Sequence, residues 1–244
     1  NSFFSISAAE ASAMDPQQRQ LLERGYASLH AAGMRKSALL GATVAVNVGQ
    51  WASEYGGVLM RTAGGRSVYA STGSSCSVTC GRVSFVLGLH GPCASYDTAC
   101  SASLVANHGS LRALQLGECD AALTAGVNML LEPAIMRSNA IGGFTSVRGR
   151  SHTFDVRADG YARGEAVDAI YGRPSDGDVA VRVLGSAVRQ DGRSASLTAP
   201  NGQAQQGVLG AALLDALLEA SKQAVCEAHG TGTALGDPIE VVAL

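Results

Sequence analysis

Lysine is almost missing from this chain. It occurs only at positions 36 and 222, so the 18 basic residues are nearly all arginine. They are balanced by 20 acidic residues, for a formal charge of -2. Without a basic excess, neither nucleic acid nor an anionic membrane surface is an expected partner. No apolar run reaches transmembrane length and no signal peptide is present. Cysteine is also sparse. The six cysteines, at 76, 80, 93, 100, 119 and 226, are too few for a disulfide framework. No CxxC pair or His/Cys knuckle occurs, and Cys76 and Cys80 lack the second pair that would complete a zinc set. No metal is expected. Five of the six cysteines read as small buried hydrophobes. A reducing compartment fits, and the expected location is cytoplasmic, or organellar if a leader precedes Asn1.

What the chain does have is apolar content and glycine. It is 46% hydrophobic over 244 residues, enough for a sizeable core. Its 30 glycines exceed the usual share of roughly 7% and fall largely in loops, where the backbone turns tightly or approaches something closely. "PQQRQLLERGYASLHAAG" reads as a helix with Pro at its start and Gly at its end. "ATVAVNVG" and "CDAALTAGVNML" read as strands, "CASYDTA" is a short, apolar-flanked stretch, and "GRVSFVLGL" fits helix or strand by period alone. "SLVANHGSLRALQLG" and "VLGAALLDALLEA" read as helices; "DVAVRVLGSAV" and "QAVCEAHG" read as further strands. Strands and helices alternating in this way predict an α/β architecture with a largely parallel, buried sheet.

Chemistry concentrates at two places. In "SYDTACSASL", Cys100 falls at or just before a helix start, where unpaired N–H groups and the helix dipole favour a thiolate. Its neighbours Ala99, Ser101 and Ala102 are small and leave room for an acyl group. A nucleophilic cysteine also needs a base. Of the five histidines, His30 and His108 fall in helical patterns, His90 falls in a turn, and His152 is compatible with either role. His229 differs, since it opens "HGTGTALGDPIE" directly after an apolar run, where α/β folds place ligands. Thr231 and Thr233 of that loop are candidates for hydrogen bonds to a ligand's amides or phosphates. The glycine spacing is wrong for a dinucleotide fingerprint, and no P-loop Lys is present.

These stretches, taken in order, carry a resemblance. "AMDPQQRQLLE", "GRVSFVLGLHGPCASYDTACSASL", "GECDAALTAGVN", "TFDVRADGYARGE", "GSAVRQDGRSASLTAPNG" and "EAHGTGTALGDPIE" together resemble a β-ketoacyl synthase domain of the modular type I polyketide synthase kind. The resemblance implies a thiolase-like fold, layered α/β/α/β/α in two pseudo-symmetric halves, and a homodimer. It implies one partial domain over 1–244, with the boundary between halves near 170–180 and the C-terminal half incomplete. It also implies that Cys100 accepts the acyl group, that His229 is the first of two active-site histidines, and that Thr231 and Thr233 line the channel for a phosphopantetheine arm. The reaction implied is decarboxylative Claisen condensation of the acyl group on Cys100 with a malonyl-type extender on an acyl carrier protein. Oxyanion stabilisation is expected from backbone N–H groups including that of Cys100, and enolate stabilisation from imidazole donors such as His229. No cofactor is held permanently; the carrier's phosphopantetheine arm brings the substrate. Partners are the acyl carrier protein, neighbouring polyketide synthase domains and a second copy of the chain, with no nucleic acid and no membrane.

The chain departs from that pattern in places. Ala102 and Cys93 stand where Ser is more usual. The segment after "ARGE" looks short of an apolar strand, and the spacing between Cys100 and His229 is less than the family shows. The chain reads as a piece of a longer polypeptide, with a second histidine, a lysine and a glycine-rich oxyanion loop expected beyond Leu244. This span alone is therefore expected to be inactive. The competing expectations are a catalytically incomplete, cavity-shaping ketosynthase-like subunit and a Cys-dependent hydrolase; "HGTGTALGDP" does not suit the hydrolase.

Overall fold

The computed structural model describes residues 2–177 and 179–244. It divides into two compact units, Asn1–Glu132 with Gly164–Asp178, and Pro133–Arg163 with Val179–Leu244. In the first unit the order is α1 (Ala8–Ala13), α2 (Pro16–Ala31), α3 (Lys36–Leu39), β1 (Val44–Gln50), α4 (Tyr55–Met60), α5 (Ala70–Ser74), α6 (Cys76–Leu87), β2 (Cys93–Tyr96), α7 (Ala102–Gln115), β3 (Ala121–Asn128) and, after the excursion into the second unit, β4 (Ala166–Gly172). The second unit holds α8 (Pro133–Ile141), α9 (Gly202–Asp215) and α10 (Gly236–Ala243).

The sheet runs β2-β1-β3-β4, parallel except for β4, which is antiparallel to β3 at the margin. All seven residues of β4 pair with β3, so the strand after "ARGE" is present, although its residues look too few for one in the sequence. Every residue of β1 is buried, as a strand covered on both faces requires. Alternate side chains divide between those faces. Val44, Val46 and Val48, with Leu123 and Val127, join Leu21, Leu22 and Leu29 of α2 and Cys80, Val83 and Leu87 of α6 in the main core. The opposite face, with Ala45 and Ala122, meets Ala113 of α7. The ambiguous "GRVSFVLGL" is thus helical through Leu87, with Val83 and Leu87 turned to the core and Phe85 exposed.

"AMDPQQR" proves to be a buried polar knot. Asp15 caps α2 by accepting the Gln17 N–H (2.8 Å), with Pro16 at the first helical position. Its other carboxylate oxygen accepts the Ser53 hydroxyl (2.7 Å). Gln18 accepts the Arg82 Nε–H (2.7 Å) and donates to the carbonyls of Thr72 and Ser75. Arg82 also pairs with Glu10 (2.5 Å), so α1, α2, α5 and α6 are joined through groups that would be costly to leave unpaired.

In the second unit two expected strands do not form. The stretch 179–188 has no β-ladder among the described residues (Asp178 lies outside them), and neither has 223–230. Apolar alternation creates a demand for lateral partners, and here other groups take the backbone. The Ser186 N–H donates to the Asp215 carboxylate at the end of α9 (2.9 Å), while Val181 stays 83% exposed. The N–H groups of His229 and Gly230 go to a side-chain carboxylate described below. Helix α9 also starts earlier than its apolar run suggests, at Gly202, because Asn201 Oδ1 accepts from the Gln203 and Ala204 N–H groups.

Candidate active site

Cys100 sits at a sharp corner. β2 ends at Tyr96, Asp97 and Thr98 follow, and a single 3-10 turn, Ala99–Ser101, leads into α7. Ala99 has φ 53°, a left-handed conformation that a side chain makes unfavourable and that surrounding contacts must enforce. Those contacts are present. The Ser101 hydroxyl reaches both the carbonyl and the hydroxyl of Thr98 (2.9 Å each), and the Asp97 carboxylate accepts from the N–H groups of Ala99 and Ala52 (3.4 Å each). The thiol at the corner is exposed.

The corner is placed by how closely α7 lies on the sheet. On the face toward α7, the register-paired residues of β1 and β3 are Ala45 with Ala122, Asn47 with Thr124 and, last, Gly49 with Gly126, a pair with no side chains. A Cβ on Gly49 would come within 2.4 Å of the Ala102 carbonyl carbon and the Ser103 N; one on Gly126 would come within 2.5 Å of Ser103 Oγ. The paired glycines form a notch at the C-terminal end of the strands, and the first turn of α7 occupies it. One layer deeper, the buried Ser110 hydroxyl accepts hydrogen bonds from Asn47 (2.9 Å) and Thr124 (2.7 Å), linking α7 to both strands. From the other side the Tyr96 ring lies on Gly109, where a Cβ would meet its Oη at 2.3 Å.

The other cysteines have different surroundings. Burial pushes the Cys76, Cys80 and Cys119 thiols up from their ordinary pKa, which keeps them protonated and weakly nucleophilic. Cys93 and Cys226 are exposed, like Cys100.

His229, Thr231 and Thr233 lie together in the second unit, in a loop held by carboxylates of α10. Glu240 accepts the N–H groups of His229 (2.5 Å) and Gly230 (2.8 Å), one on each oxygen. The buried Asp237 accepts those of Gly232 (3.0 Å) and Thr233 (3.3 Å) on one oxygen and that of Phe154 (2.7 Å) on the other. The Thr231 and Thr233 hydroxyls stand 3.1 Å apart, and Thr233 Oγ1 also accepts the Gly236 N–H (3.1 Å). Gly232, at φ 74°, leaves no space for a side chain against the backbone of Ser151 and His152. The Thr153 hydroxyl closes the arrangement on the Gly230 carbonyl (2.6 Å). The His229 side chain is exposed.

Sequence reasoning passed over the positioning groups. Asp237 and Glu240 stand within the quoted "GDPIE", and acids following a run of glycines were the available signal. Gly49, Gly126 and Ser110 were signalled only by small residues at alternate positions of two strands. Among the described residues no group of three or more His, Cys, Asp or Glu assembles to hold a metal, and no helix is long and apolar enough to cross a membrane.

Known proteins identify the family to which a chain with this corner and this loop belongs. The model of the β-ketoacyl synthase N-terminal domain matches residues 1–171, and that of the C-terminal domain matches residues 180–244. The chain belongs to the β-ketoacyl synthase family. It is 46% identical to the polyketide synthase GfsB of Streptomyces halstedii, covering 99% of this chain and 4% of that protein. It is 44% identical to the pikromycin polyketide synthase component PikAII of Streptomyces venezuelae, covering 99% of this chain and 7% of that protein. Among solved structures it resembles the ketosynthase from module 6 of the bacillaene synthase from Bacillus subtilis 168 (TM-score 0.90, 33% identity, 99% of this chain and 41% of that one). It also resembles an oxazolomycin ketosynthase domain of Streptomyces albus JA3453 (TM-score 0.89, 35% identity, 100% of this chain and 44% of that one). The chain therefore spans less than half the length of each of these relatives. The fold is thiolase-like, and a purely cavity-shaping role is not the reading these relatives favour.

Proposed function

We propose that the chain is the condensing part of a polyketide synthase and catalyses decarboxylative Claisen condensation in chain elongation, with Cys100 as the acyl acceptor. The supporting observation is the corner itself: an exposed thiol, a backbone held at an unfavourable φ immediately before it, and a helix packed against two strands behind it. The Cys100 thiolate attacks the acyl thioester carbonyl; the carrier's phosphopantetheine thiolate leaves, and the acyl group is now a thioester of Cys100. A malonyl-type thioester then loses CO₂. Its enolate carbon attacks the acyl-Cys100 carbonyl, the C–S bond breaks, and the thiolate of Cys100 is regenerated with a β-ketoacyl thioester on the carrier. His229 is proposed as a hydrogen-bond donor to the thioester oxygen as the enolate forms. Thr231 and Thr233 are proposed to line the path of the phosphopantetheine arm.

The partners we infer are an acyl carrier protein, neighbouring polyketide synthase domains and a second copy of the chain. The two halves of the fold are proposed to meet near 170–180, and residues 1–244 alone are proposed to be inactive. The test separates the two half-reactions in the polypeptide that carries this span. In His229→Ala, Cys100 should still take up the acyl group, while CO₂ release from the malonyl carrier falls about 10²–10³-fold, the usual cost of losing one such donor. Unchanged decarboxylation in His229→Ala, or a full rate of condensation by residues 1–244 alone, would refute this assignment of roles.

A further inference from the structure

Three of the six cysteines converge where α6 packs on β2, away from the corner at Cys100. Cys76 and Cys80 lie one turn apart on α6 and so share a helix face. Cys93 and Ser95 lie two apart on β2 and so share a strand face. The two faces meet. The Cys80 N–H reaches Ser95 Oγ (3.4 Å), the Ser95 hydroxyl neighbours the Cys76 thiol, and the Cys93 thiol neighbours that of Cys80. Cys93 is exposed and Cys80 buried. An oxidant arriving from solvent meets Cys93 first, with a second thiol directly behind it. That is the arrangement in which a sulfenic acid is captured as a disulfide before it oxidises further.

We propose that Cys80 and Cys93 are a peroxide-oxidised pair that closes reversibly into a disulfide between α6 and β2. Hydrogen peroxide converts the Cys93 thiol to sulfenic acid, releasing one water. The Cys80 sulfur then attacks the Cys93 sulfur; the S–O bond breaks, and the departing hydroxide takes the Cys80 proton to give a second water. Two thiols lose two electrons and one peroxide is reduced to two waters. A dithiol reductant reopens the bridge. Burial holds the Cys80 thiol up, partly offset by Ser95, so its thiolate fraction is small at neutral pH and grows as pH rises. The second step accelerates accordingly. Closure fastens the head of β2, the strand that leads through Asp97 and Thr98 to Cys100, and it involves neither Cys100 nor the condensation chemistry.

The polypeptide carrying these residues is treated with hydrogen peroxide, alkylated without reduction and digested for mass spectrometry. A peptide pair joined through Cys80 and Cys93 should appear and vanish with dithiothreitol. It should form several-fold faster at pH 9 than at pH 7. It should be missing in Cys93→Ser and in Cys80→Ala, each checked for a native circular dichroism spectrum. If a variant fails to fold, the parent time course decides, since both thiols must be lost to iodoacetamide together. Cys93 advancing to sulfinic acid while Cys80 stays alkylatable, or a bridge formed instead with Cys76 or Cys100, would overturn the proposal.

Discussion

In the first unit the corner bearing Cys100 rests on shape. Gly49 and Gly126 make room for the first turn of α7, and Asn47 and Thr124 converge on one buried hydroxyl, Ser110. In the second unit the loop bearing His229 rests on charge. Two carboxylates of α10, Asp237 and Glu240, receive five backbone N–H groups, four of them from residues 229–233. Shape tolerates no added atom where backbone is the neighbour. A charge clamp tolerates small changes of volume but not loss of an acceptor, because the N–H groups would be left unpaired. The two halves of the proposed chemistry should therefore fail in different ways.

The largest effect should come from Gly49→Ala. The added methyl meets the backbone of Ala102 and Ser103, and one of the two elements has to move. A loss of about 2–3 kcal/mol is expected in urea unfolding, along with slower acylation of Cys100. Gly126→Ala sharpens the point, because its methyl meets only the side chain of Ser103, which can rotate; about 1 kcal/mol is expected.

Asp237→Ala comes next. It removes a buried acceptor of three N–H groups, a loss of about 2 kcal/mol, read as faster hydrogen exchange at residues 229–233 with no change in the β1–β3 amides. Glu240→Gln retains one carbonyl acceptor and should cost about 1 kcal/mol, confined to the amides of His229 and Gly230.

The smallest effect concerns Asp155. The side-chain hydrogen bond from Arg157 holds its carboxyl below the ordinary carboxylate range. A carboxyl with a depressed folded pKa stabilises the fold above its unfolded pKa, near 4, and loses that contribution as pH falls below it. Arg157 is exposed and Asp155 partly so, and solvent therefore screens the pair. Arg157→Ala should return the Asp155 titration, followed by NMR, to the ordinary range without moving the melting temperature at pH 7.

The same contrast explains what was legible in the sequence. β1, β3, α2 and α7 follow from periodicity, because in the first unit each element faces a partner that the pattern implies. The corner at Cys100 was legible because it is local: a short strand, small residues, then a helix. The expected strands at 178–188 and 223–230 rested on apolar alternation alone, and their backbone groups instead meet Asp215 and Glu240. The carboxylate clamp was not legible because it depends on where α10 turns back on its own preceding loop. Nothing in the spacing of Asp237 and Glu240 says which amides they accept.

The central claim is that Cys100, and no other cysteine, takes the acyl group. The direct measurement is site-resolved mass spectrometry of the polypeptide carrying this span after brief exposure to an acyl thioester or a ketosynthase-directed epoxide. Cys100 should be modified first among the six and the label should vanish in Cys100→Ala, with exposed Cys93 and Cys226 reacting only at the rate of ordinary surface thiols. Equal early labelling of Cys93 or Cys226, or label uptake that persists in Cys100→Ala, would contradict it.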